Sequence, residues 1–120
     1  MTLIEEMQRL LRTAGYSLDG WRRAWREEKS LRQWVGVNLV SWVALAVLRP
    51  PLWAVAVVFF AGILLLVVEL INSAIEAAVD YISTDRHPLA KAAKDAGSAA
   101  VAVLALGFAG VWGMTLLALF

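Results

Sequence analysis

The chain has 120 residues, 61% of them hydrophobic, and a mean hydropathy of +0.69, too apolar for a water-soluble domain of this length. It has no cysteine and one histidine, which excludes a disulfide framework, a thiolate nucleophile and multi-histidine metal sites, and disfavours a Ser-His-Asp triad. A net charge of +1 leaves no basic field for nucleic acid.

From the N-terminus, Leu3, Ile4, Met7, Leu10, Leu11 and Ala14 recur at helical spacing, with Glu5, Glu6, Gln8, Arg9 and Arg12 between them. This predicts an amphipathic helix in the membrane interface rather than a cleavable signal. Gly15 is expected to end it. Ser17 and Asp19 are expected to cap a second helix, so that residues 1–33 form two interfacial helices. Trp21 and Trp25 stand one turn apart on the second, suited to the headgroup layer, and Glu28 follows on their face.

The uncharged run 33–48 predicts a first span over 34–48, once flanking turns and snorkelling Arg32 and Arg49 are allowed. Arg49-Pro50-Pro51 reads as a tight turn into a second span over 52–82. That helix is uncharged up to Val68 and polar on one side afterwards. Ser83, Thr84, Asp85, Arg86 and His87 form a loop, and Pro88 suits the first turn of a third span over 88–118. Gly97, Gly107 and Gly110 are small enough to let helices approach closely. The expected fold is an all-α membrane protein: an N-terminal interfacial helix plus three transmembrane helices.

Lys and Arg set the orientation. They crowd the N-terminal segment and recur in Arg86, Lys91 and Lys94, whereas the turn between the first two spans has Arg49 alone. The N-terminus is therefore expected on the cytoplasmic side, which puts every acidic residue there too.

The densest chemistry lies where the second span emerges. Glu69, Asn72, Ser73, Glu76 and Asp80 fall at i, i+3, i+4, i+7 and i+11, one stripe of a helix. Seventeen residues, 52–68, rise about 25 Å, which puts Glu69 near the inner edge of the hydrocarbon. A charge at that depth costs about 2.5–3.5 kcal/mol on insertion scales and is by default functional. Lys91, Lys94, Asp95 and Ser98 make a matching face on the third helix. Two chemistries fit. Carboxylates and a lysine at the inner face suit a divalent metal with phosphate, a spare carboxylate taking a hydroxyl proton. Ion-coupled transport is the alternative, but it needs polar groups at membrane depth, and the outer halves of all three spans are bare of ionisable groups. No soluble-kinase phosphate loop is present.

V-E-L-I-N-S-A-I-E-A-A-V-D (68–80) with A-K-D-A-G-S-A-A-V (93–101) closely resembles the prokaryotic diacylglycerol kinases, small integral membrane enzymes. A-G-Y-S (14–17), A-W-R-E-E (24–28) and R-Q (32–33) fit the same family in register. The relatives include undecaprenol kinases, which share these core motifs; the aromatic N-terminal helix looks more like the Gram-negative diacylglycerol enzyme. The resemblance implies ATP-dependent phosphorylation of a lipid hydroxyl, diacylglycerol in the first place. It also implies Mg2+ dependence, a homotrimer with sites shared between subunits, and a multi-pass protein of the bacterial inner membrane. It further implies that Glu69 is the general base, that Glu28 and Glu76 hold the metal, and that Asn72, Lys94 and Asp95 complete the core. Arg9, Tyr16, Asp85, Arg86 and His87 fall on positions near nucleotide. Arg9, Glu69, Ser98 and Trp112 fall on positions near the lipid. Arg86 stands where an aromatic residue is expected, Lys91 where glycine is, and Trp34 where an acid is.

Overall fold

The computed structural model describes residues 1–120 as four helices: α1 Leu3–Glu27, α2 Lys29–Leu48, α3 Leu52–Ile82 and α4 Pro88–Leu119. The last three are long and apolar enough to cross a membrane, and the chain is a membrane protein.

α1 starts in a reciprocal capping box, which satisfies two orphan donors of the first turn. Thr2 Oγ1 accepts from the Glu5 amide at 3.3 Å, and Glu5 Oε2 accepts from the Thr2 amide at 2.7 Å. The break expected at Gly15 does not occur, and Ser17 and Asp19 cap nothing: α1 is one helix of 25 residues. A glycine inside a helix costs only about 1 kcal/mol, and local pairs offset it. Arg9–Glu6, Arg22–Asp19 and Arg23–Glu27 are pairs at i, i+3 or i, i+4, each worth about 0.2–0.5 kcal/mol. The hydroxyls of Thr13 and Ser17 donate back to the carbonyls of Arg9 and Thr13.

The chain breaks instead at Glu28, whose backbone is extended. Arg32 stabilises this corner. It was expected to snorkel, yet its Nη1 turns back to donate to the Trp25 and Arg26 carbonyls. A cation is favoured at a helix C-terminus, where those carbonyls have no helical partner.

α2 and α3 form an antiparallel hairpin through Arg49, which takes a left-handed conformation at φ 51°, ψ 52°. Pro50 and Pro51 cannot continue a helix, and the Pro51 carbonyl accepts the first amide bonds of α3. In this hairpin Asn38 lies opposite Gly62. Asn38 is 1% exposed, and its Nδ2 donates to the Trp34 and Gly62 carbonyls, both at 3.0 Å. A side chain on Gly62 would collide with Asn38 Oδ1. Interhelical polar bonds in membranes average only about 0.6 kcal/mol, so the close backbone approach that glycine permits matters more than the bond.

α3 is the central helix, packed on α1, α2 and α4. Leu45, Val58, Leu65 and Phe108 form the buried core, with Trp34, Leu104 and Trp112 at its margin. Only 15 of 120 residues are buried, and the radius of gyration is 18.1 Å, against about 13–14 Å for a compact soluble domain of this length. The outer faces of α2–α4 present Val40, Val43, Phe60, Leu106 and Leu117, which suits lipid or other apolar helices and not water.

Candidate active site

Three helices meet α3 at its polar end, and the stripe residues divide among them. Glu69 turns toward α2: it is 4% exposed and its Oε1 accepts a hydrogen bond from Ser30 Oγ. Asn72 turns toward α4. It lies over Gly97, where a Cβ would collide with its Oδ1. That Oδ1 has no hydrogen-bond partner, while Nδ2 reaches Glu76 Oε1 at 3.4 Å. The absence of a side chain at Gly97 is what lets α4 come this near.

Ser73, Glu76 and Asp80 line a hollow of about 580 Å³ between α3 and α1, whose far wall includes Ser17, Trp21 and Arg23. Glu27 and Glu28, at the α1–α2 corner, complete it. The break at Glu28 thus brings that carboxylate and Glu27 to the hollow that Glu76 and Asp80 line.

Asp80 also connects to α4. Lys94 Nζ lies 2.6 Å from Asp80 Oδ1. Lys94 and Asp95, neighbours in sequence, do not pair with each other: Asp95 is bound by Lys91 on the next turn. Asp80 reads from the sequence as a solvated residue; the structure makes it the anchor that holds an ammonium at the hollow's edge.

The remaining candidates are dispersed. Arg9 is exposed and paired with Glu6; Tyr16 is 72% exposed. Neither lines the hollow. Asp85, Arg86 and His87 form an exposed connection, in which His87 Nδ1 accepts from the Leu89 amide at 3.1 Å and caps α4. Ser98 is exposed. Trp112 Nε1 donates to Ser41 Oγ at 2.9 Å, an interhelical tie between α4 and α2.

The family described as prokaryotic diacylglycerol kinase matches residues 15–116. The chain belongs to that family. It is 42% identical to the diacylglycerol kinase of Pseudomonas aeruginosa over 111 residues, 92% of this chain and 90% of that protein. It is 42% identical to the diacylglycerol kinase of Helicobacter pylori over 113 residues, 94% of this chain and 88% of that protein. The diacylglycerol kinase of Escherichia coli is 41% identical over 96 residues, 79% of this chain and 78% of that protein.

For this member of the prokaryotic diacylglycerol kinase family, the polar stripe is a junction and not a single open face. Sequence reasoning missed Ser30, Arg32 and Asn38 as partners. Asn38 could have been found, since it is the lone amide of the span 34–48. Ser30 had no such signal, because its partner is 39 residues away.

Proposed function

We propose that this chain transfers the γ-phosphate of ATP to diacylglycerol, giving phosphatidate and ADP, at the cytoplasmic face of the bacterial inner membrane. The observation that carries this reading is the separation of a buried Glu69 from the half-buried Glu28 and Glu76 below it. Glu69 and Glu76 lie seven residues apart on α3, about 10 Å along the axis. A lipid hydroxyl arriving from the membrane meets Glu69, and a nucleotide arriving from water meets the hollow lined by Glu28 and Glu76. A phosphate held between the two carboxylates touches both substrates.

Glu69 accepts the hydroxyl proton as the lipid oxygen attacks phosphorus, the role of a general base. Lys94 moves from Asp80 to the phosphate and offsets its charge. Asn72 offers its amide from the level between the two glutamates. The apolar faces of α2–α4 hold the acyl chains in lipid, so the acceptor needs only to present its hydroxyl at the right depth.

The donor set also fits Mg2+. Glu28 and Glu76 supply hard oxygens in one hollow, which Glu27 and Asp80 also line, and these acids are not gathered into a closed cage of three or more ligands. Mg2+ is characteristically held by one or two carboxylates plus substrate phosphates, and when bound it supplies charge neutralisation on the phosphate chain. Glu28→Gln and Glu76→Gln are each expected to raise the Mg2+ concentration for half-maximal activity about tenfold or more. A Mg2+ titration of the rate reads this directly, and an unmoved midpoint in both variants would exclude the pair as ligands.

The choice of lipid is tested by offering diacylglycerol and undecaprenol to the purified protein in the same vesicles. A higher kcat/KM for diacylglycerol is expected; a preference for undecaprenol would move the chain to the undecaprenol kinases.

We further propose a homotrimer with shared sites. Gly107, Gly110 and Gly113 have open space where a side chain would be, on a helix whose other face packs on α3, so a neighbouring helix has room to approach closely.

A further inference from the structure

Glu69 is the one buried charged side chain of the protein. It makes no ion pair, and its single hydrogen bond comes from Ser30 Oγ. A carboxylate has two oxygens and about four acceptor sites. Ser30 occupies one on Oε1 and leaves Oε2 unengaged.

The hydroxyl is itself held. Ser30 stands in the first turn of α2, two residues after the extended break at Glu28. Its neighbour Leu31 is 0% exposed, which ties that turn into the packed interior. Arg32, one residue further on, binds the last carbonyls of α1. The turn that carries Ser30 is thus tied both to the packed interior and to the end of α1, and its O–H reaches Glu69 from one direction. A glutamate has three rotatable side-chain bonds, and a general base acts only within hydrogen-bond reach of its proton.

We infer that Ser30 is a positioning residue: its hydroxyl fixes the Glu69 carboxylate so that Oε2 faces the acceptor hydroxyl. The inference rests on the reading of Glu69 as the general base. It also links the two ends of the site, since the corner that brings Glu28 to the hollow sets the direction of the Ser30 hydroxyl.

The test uses the purified full-length protein in vesicles containing diacylglycerol, with Ser30→Ala, Ser30→Thr, Glu69→Gln and the Ser30→Ala/Glu69→Gln double variant. Ser30→Ala is expected to lower kcat about 10-fold while KM for ATP stays within about twofold. Ser30→Thr keeps the hydroxyl and should recover most of the loss. In the Glu69→Gln background the alanine should cost nothing more, because the base it orients is gone. Ser30→Ala turning over like wild type while Glu69→Gln is dead would overturn the positioning role and leave the base reading intact. Equal losses in Ser30→Ala and Ser30→Thr, with a lowered Tm in both, would make Ser30 a packing residue and overturn it as well. Wild-type turnover by Glu69→Gln would remove the base reading and this inference together.

Discussion

Glu69→Gln is expected to lower kcat about 10²–10⁴-fold, the usual contribution of a general base, with little change in KM for ATP. The substitution keeps the shape of a side chain that is 4% exposed. The amide oxygen of Gln still accepts from Ser30, so the contact between α2 and α3 survives. What disappears is the ability to take a proton. The hollow proposed to take the nucleotide lies lower on α3, around Ser73, Glu76 and Asp80, and is untouched. Steady-state rates on a variant that elutes and melts like wild type make the measurement. If turnover is near normal in that material, some other group takes the proton.

The second large effect concerns the assembly. Arg9 lies eight residues before Ser17, the first residue of α1 to line the hollow, or about 12 Å along the helix. The second half of α1 therefore walls its own chain's hollow, while the first half runs past it, presenting exposed Leu3, Met7 and Leu10. In the proposed trimer this arm is expected to reach a neighbour. Arg9→Glu disables the arm and Asp95→Asn disables the core, and each variant alone is expected to be nearly inactive. Mixed in equal amounts and allowed to co-assemble, they should regain about a quarter of wild-type activity, because that share of sites combines an intact arm with an intact core. The activity should peak at an intermediate ratio. Mixed oligomers that form and stay inactive at every ratio would mean that each chain holds a whole site.

Much of the architecture was legible because apolar runs and prolines mark it directly. The helices Leu52–Ile82 and Pro88–Leu119 start where Pro51 and Pro88 put them, and a 3.6-residue pattern exposes the stripe from Glu69 to Asp80. The N-terminal segment misled for a physical reason. Gly15 looks like a stop, but one glycine is a weak penalty against a run of ion pairs, and the true break at Glu28 has neither glycine nor proline to announce it. The stripe itself was readable, but its division among partners was not. Periodicity says that Glu69, Asn72 and Glu76 share a side of one helix. It does not say that α2 arrives at Glu69, α4 at Asn72 and α1 at Glu76, since those pairings depend on helix packing between distant segments. Lys94 shows the same limit: its partner Asp80 is 14 residues away across the α3–α4 connection, while the adjacent Asp95 belongs to Lys91.

The most direct measurement follows the γ-phosphate. Purified protein in vesicles with diacylglycerol is given ATP labelled on that phosphate, and lipid and aqueous products are separated. The proposed function predicts label in phosphatidate, one for each ADP formed, and almost none with Glu69→Gln. ADP released without labelled lipid, or no consumption of ATP in the presence of diacylglycerol, would contradict it.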